Sequence, residues 1–190
     1  NTPRRLMTWY QKLKIEFNNK GSLKIKKSGG LWGLACNSIH YIDLINWWTG
    51  ESLFSVNTSK LDKIWHKSKR LGYFEVSGEL LIKFSGGTEL ILQSYPNKVK
   101  DIIHIELNDK KNWIINEQEG VAYKSKKEIL SGKVELQSEM TGRMVTKILI
   151  EGTCNLPHLK ESSKQHAIFL DAMLSHWNTC NKSNDKAVPI

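Results

Sequence analysis

One histidine in the chain sits where proton chemistry could be done. His40 lies in Cys36-Asn37-Ser38-Ile39-His40-Tyr41-Ile42-Asp43, with Asp43 about one helical turn after it and Cys36 about one turn before. An imidazole with an ordinary pKa of about 6.5 can take up or release a proton near neutrality. Asp43 could orient that ring from the same helix face, although i, i+3 pairs are also ordinary surface geometry. The bland alternative is a histidine that caps or packs at a helix start. Two basic groups offer other chemistry. Lys60, Lys63, Lys67 and Arg70 fall on one side of an expected short helix, with Leu61, Ile64, Trp65 and Leu71 on the other. They would make either a phosphate clamp or a solvated helix face. Arg5, Tyr10 and Lys14 could meet the hydroxyls or diphosphate of a substrate, or simply edge a surface helix around a buried aromatic.

The elements that must position these groups follow from periodicity. Trp9, Leu13 and Phe17 recur at helical spacing, and Asn18-Asn19-Lys20-Gly21 stops the helix. A short strand over Leu23 to Lys26 precedes a Ser28-Gly29-Gly30 turn. The apolar run Leu31 to Cys36 leads into a helix starting near Asn37 or Ser38, with Ile39, Ile42, Ile45 and Trp48 on one face and Thr49-Gly50-Glu51 at its end. The middle is β-rich. Gly78 to Phe84 and Thr88 to Tyr95 flank the turn Ser85-Gly86-Gly87, and Ile102 to Leu107 and Trp113 to Asn116 flank Asn108 to Lys111. Val121 to Ser125 and Val134 to Ser138 are further strand candidates. A helix through Met144 and Ile148 ends at Gly152. After Pro157 another helix, capped by Ser162 or Ser163, carries Ala167, Leu170, Met173, Leu174 and Trp177 as its apolar stripe. The tail Asn178 to Ile190 reads as polar and loose until its last few residues. Successive hairpins followed by helices predict an α+β domain, a largely antiparallel open sheet with helices packed on one face.

Composition narrows the function classes. The 190 residues suit one domain over 1–190, and 39% hydrophobic residues with seven Trp suffice for a core. No apolar run approaches the roughly 18–20 residues needed to cross a bilayer. Asn1-Thr2-Pro3-Arg4-Arg5 has no apolar stretch behind it, so no signal peptide is expected. Cys36, Cys154 and Cys180 are odd in number and far apart, without CxxC or HExxH, and the six histidines do not cluster. Reduced thiols in a cytoplasmic protein, with no metal site, are the simplest reading. The net charge of +9 comes mainly from dispersed Lys. Arg, the better tool for phosphate and guanine, is scarce, and most Trp fall on apolar helix faces rather than a basic sheet, so nucleic-acid binding rests on charge alone.

Two segments carry a resemblance. Arg5-Leu6-Met7-Thr8-Trp9-Tyr10-Gln11-Lys12-Leu13-Lys14 and Gly33-Leu34-Ala35-Cys36-Asn37-Ser38-Ile39-His40-Tyr41-Ile42-Asp43-Leu44-Ile45 resemble the second domain of the family of glucose–fructose oxidoreductase, inositol dehydrogenase and rhizopine catabolism proteins. Thr8 stands where that family commonly has Pro, and Cys36 where many members carry an Asp that cooperates with the His. The closing Leu156-Pro157, helix and Val188-Pro189-Ile190 also fit. The resemblance implies a Rossmann domain, absent from this chain, followed by this α+β domain with an open sheet that often dimerises. It implies NAD or NADP, bound mainly by the missing N-terminal domain, and a sugar, nucleotide-sugar or cyclitol as substrate. His40 would then be the catalytic base or its partner, with Arg5, Tyr10, Lys14, Asn37 and Asp43 as substrate contacts. The chain alone is expected to be inactive: Gly29, Gly30 and Gly33 lack dinucleotide-fingerprint spacing, and no Glu-Lys-Pro motif is present. Cys36 keeps a rival open, a binding or assembly domain of the same fold that has lost its chemistry.

Overall fold

The computed structural model describes residues 2–17, 21–107 and 111–190. A 3-10 turn at Pro3–Leu6 leads into α1 (Thr8–Phe17), then β1 (Leu23–Gly30) and α2 (Leu34–Thr49). Nine strands follow: β2 (Leu53–Leu61), β3 (His66–Lys67), β4 (Phe74–Glu75), β5 (Gly78–Phe84), β6 (Glu89–Tyr95), β7 (Ile102–Leu107), β8 (Lys111–Asn116), β9 (Val121–Lys124) and β10 (Lys127–Ser131). Helices α3 (Gln137–Glu151) and α4 (Leu159–Asn181) end the chain. Eight strands form one open sheet in the order β10-β9-β8-β7-β1-β6-β5-β2, while β3 and β4 pair by themselves. All pairings in the large sheet are antiparallel except β1 with β6. The α+β expectation holds.

One sheet face is buried by period-two alternation. Leu23 and Ile25 of β1, Leu80 and Ile82 of β5, Leu90 and Leu92 of β6, and Ile103 and Ile105 of β7 all lie at 3% exposure or less. Over them α1 and α2 lock through aromatic rings: Trp48 packs at 4.7 Å on Phe17 and 5.8 Å on Tyr10, and Phe17 meets Trp113 at 5.2 Å. The other face stays mixed. One row across it, built from the strand registers, reads Asn57, Leu81, Ile91, Lys26, His104, Ile114, Tyr123, Glu128.

Several boundaries depart from expectation, each because a remote partner decides it. Strand β1 runs on through Ser28, Gly29 and Gly30, where a turn was predicted. Gly30 lets the loop after β6 approach, since a Cβ there would stand 2.0 Å from the Asn97 carbonyl oxygen. Residues 60–71 form no helix: Lys60 and Leu61 finish β2 against Glu79 and Gly78, and the rest builds the β3–β4 hairpin. The last strand is Lys127–Ser131 rather than Val134 to Ser138, because Ser125 and Lys126 take positive φ and turn the chain without Gly or Asn. Helix α4 starts after His158 instead of at Ser162 or Ser163. Its buried stripe is Gln165, Phe169, Met173 and Trp177, leaving Ala167 and Leu170 exposed. The tail is tied down where Asp185 accepts from Trp177 Nε1 at 2.7 Å and the Pro189 carbonyl accepts from Phe74 N at 2.8 Å. The expected stop at residues 18–20 and the turn at 108–110 lie outside the described residues.

Candidate functional site around the start of α2

Helix α2 begins at Leu34, three to four residues earlier than its sequence suggests, because its cap comes from another element. Gly33 takes a left-handed φ of 74°, and the Glu75 carboxylate on β4 accepts from Ala35 N at 2.8 Å and Cys36 N at 3.2 Å. A carboxylate there offsets the positive end of the helix dipole. Beside it a cleft of about 530 Å³ is lined by Trp32, Cys36, Asn37, Lys67, Arg70 and Tyr73, among others. Lys67 and Arg70 thus reach one cleft on a hairpin, whereas Lys60 pairs with Glu79 at 3.0 Å on the sheet. Asn37 is pinned at the cleft wall by donating from Nδ2 to the Trp32 carbonyl at 2.7 Å.

One turn further, His40 is half-buried and its Nδ1 is enclosed with no hydrogen-bond partner among the described residues. Burial, then the nearby positive charge of Arg4 and the ring of His166, lower its pKa to about 4, so the imidazole is neutral through the physiological range. Arg4 lies 4.2 Å above the Tyr41 ring and 3.3 Å from Glu117, which also accepts from the Tyr41 hydroxyl at 2.7 Å. Burial pushes the Glu117 carboxyl up. Lys27 is 1% exposed on the core face of β1, 4.5 Å from the Trp32 ring. Its Nζ is 2.9 Å from Asp101 Oδ1, an ion pair whose angles do not make a hydrogen bond, and burial lowers its pKa. Arg4 Nε and the Tyr10 hydroxyl are likewise enclosed without partners among the described residues. Buried donors are rarely left so.

The other expected site residues are brought elsewhere. Asp43 does not hold His40. It is fully buried and accepts from Arg5 twice, from Nε at 2.9 Å and from a terminal nitrogen at 2.5 Å. The same guanidinium reaches Glu161 at 2.5 Å and Asn46 at 3.1 Å. Burial raises the Asp43 carboxyl, and the two guanidinium bonds work against that. Tyr10 is in the core, and Lys14 stacks 4.4 Å from the Trp47 ring. Sequence reasoning missed Arg4, Lys27, Tyr41, Asp101 and Glu117. Lys27 was findable, since it continues the buried register of Leu23 and Ile25; loop residues Asp101 and Glu117 carry no periodic signal.

The strand–helix junction does not suit a dinucleotide diphosphate. Its first free amides are already taken by Glu75, and a Cβ at Gly29 would stand 1.5 Å from Asp101 Oδ1, so no open phosphate cradle is left. Among the described residues no group of three or more His, Cys, Asp or Glu could hold a metal ion, and no helix is long and apolar enough to cross a membrane.

No protein-family model and no curated protein sequence matches the chain. Solved structures do match in fold. UDP-N-acetylglucosamine 3-dehydrogenase from Acidithiobacillus ferrooxidans superposes with a TM-score of 0.66 at 9% identity, over 93% of this chain and 60% of that one. An oxidoreductase from Thermotoga maritima gives 0.58 at 12% identity, over 94% and 58%. Aldose-aldose oxidoreductase from Caulobacter crescentus gives 0.56 at 9% identity, over 93% and 58%. The chain therefore spans about 60% of the length of the structures it matches. Its fold is shared with these oxidoreductase structures.

Proposed function

We propose that this chain is the substrate-binding domain of a nicotinamide-dependent oxidoreductase acting on a sugar, nucleotide-sugar or cyclitol. The observation that carries the reading is His40: a neutral imidazole whose enclosed Nδ1 has no partner among the described residues, one turn from a cleft at the head of α2. NAD or NADP, held by a separate dinucleotide-binding domain, would supply the hydride acceptor. This chain's own part is to seat the substrate and handle its hydroxyl proton. In this reading His40 takes that proton, and Asn37 offers its amide oxygen from the cleft wall. Trp32 and Tyr73 give the apolar faces that a sugar ring packs on, and Lys67 and Arg70 would meet a phosphate if the sugar carries one. Tyr10 and Lys14 act indirectly, by fixing α1 against α2, and Arg5 with Asp43 by tying the N-terminal turn to α2 and α4. The mixed outer sheet face, with Leu81, Ile91, Ile114 and Tyr123 in one row, is proposed to pair with a second copy. Sedimentation of Ile91→Glu alongside the parent chain tests this; an unchanged parent monomer at micromolar concentration contradicts it.

A second reading is favoured by Cys36. A base held at about 4 is weak, and Cys36, one turn away, puts no carboxylate there to hold the imidazolium once formed. A binding domain of the same fold without chemistry would show this. The test is turnover of the full-length enzyme with each cofactor and a panel of hexoses, nucleotide-sugars and inositols. Cofactor reduction that depends on one of them supports the enzyme; saturable sugar binding with no reduction supports the binding domain.

A further inference from the structure

The core face of the sheet changes character where it reaches the cleft at the head of α2. Two successive rows across β5, β6 and β1 read Ile82, Leu90, Ile25 and then Leu80, Leu92, Lys27. The next row reads Gly78, Ser94, Gly29, so a small hydroxyl stands where the alternation of β6 calls for another Leu. Ser77, just before β5, joins Ser94 in the cleft lining, and the two residues are only 5% and 4% exposed. No hydrogen bond ties either hydroxyl to another described residue, and neither oxygen is sealed away as His40 Nδ1 is. Both are therefore open to a ligand lodged in the cleft. A serine hydroxyl donates once and accepts twice, which matches another hydroxyl, and a nearly buried one gains from every bond it is offered. The walls above are held in place. Trp32 donates from Nε1 to the Gln93 carbonyl at 2.9 Å and meets Tyr41 edge-on at 5.5 Å, and Arg70 lies 5.1 Å from the Tyr73 ring. Fixed aromatic walls beside open hydroxyls suit a ring that is apolar on its faces and hydroxylated at its edge.

We infer that Ser94 and Ser77 are specificity-determining contacts, hydrogen-bonding ring hydroxyls of a polyhydroxylated ligand from the wall of this cleft. The inference rests on the proposed oxidoreductase reading and adds the residues that choose among its substrates. Myo-inositol, glucose and UDP-N-acetylglucosamine are the probes, titrated separately into the isotopically labelled chain and followed by NMR. The expected result, with at least one of them, is saturable shifts at the Trp32 indole N–H, the Asn37 side-chain amide and the backbone amides of Ser77 and Ser94. Ser94→Ala and Ser77→Ala should each weaken that binding about three- to tenfold, the usual worth of a neutral hydrogen bond. Neither should lower the melting temperature, because each removes a hydroxyl that no other residue bonds. Saturable binding that both variants leave unchanged, or that weakens only together with a lowered melting temperature, overturns the inference while the oxidoreductase reading stands. No saturable shift with any of the three probes overturns both.

Discussion

Two arginines that are neighbours in sequence end in opposite electrostatic situations. Arg5 is satisfied: its guanidinium meets Asp43 twice, Glu161 and Asn46, all on helices that it ties together. Arg4 is not. It rests on the Tyr41 ring with a bond to Glu117, and among the described residues its enclosed Nε, like His40 Nδ1 and the Tyr10 hydroxyl nearby, has no hydrogen-bond partner. A satisfied buried pair holds a fold in one arrangement, whereas a cluster of unmet donors costs stability unless something fills it. The difference gives a physical ground for the proposed division into scaffold and site, with Asp43 on the scaffold side.

Breaking the satisfied side should have the largest effect. Asp43→Ala leaves the Arg5 charge buried with its bidentate partner gone, and it should cost about 3–5 kcal/mol in denaturant unfolding. A loss below about 1 kcal/mol would mean that Glu161 and Asn46 alone hold the arginine. The unmet side should instead respond to pH. The folded-state pKa of His40, about 4, lies below its ordinary 6.5, so the unfolded chain binds the proton more readily. The contribution is fully present above about pH 6.5 and is lost as pH falls toward 4. Thermal melts at pH 7 and pH 5 should therefore show a larger drop for the parent chain than for His40→Asn. Equal drops would remove His40 from the set of perturbed groups. A smaller effect belongs to the boundary between the two regions: Glu75→Gln keeps the shape of the α2 cap but removes its charge, costing about 1 kcal/mol.

The sequence made the local features legible and hid the remote ones. The hairpin at Ser85-Gly86-Gly87, the apolar α2 and the alternation of β5 to β8 each follow from residues a few positions apart. What escaped depends on partners far along the chain. The start of α2 is set by Glu75, the identity of Asp43 as scaffold by Arg5, and the environment of His40 by Arg4, Tyr41 and Glu117. The expected helix over 60–71 failed for the same reason, since Lys60 and Leu61 answer to β5 rather than to their own 3.6-residue period. Periodicity names a face; it does not name what the face will meet.

The central claim is that His40 belongs to the site and not to the scaffold. On the proposed oxidoreductase reading, kcat and melting temperature of His40→Asn, measured together at neutral pH in a protein that carries the dinucleotide-binding domain, test it most directly. The account predicts that kcat falls by on the order of 10²–10⁴, the usual worth of a general acid–base group, while the melting temperature holds and cofactor affinity barely moves. Cys36→Asp, which places a carboxylate where an imidazolium could use one, should leave kcat unchanged or raise it. Near-normal kcat in His40→Asn together with a clearly lowered melting temperature would contradict the account and return His40 to the scaffold.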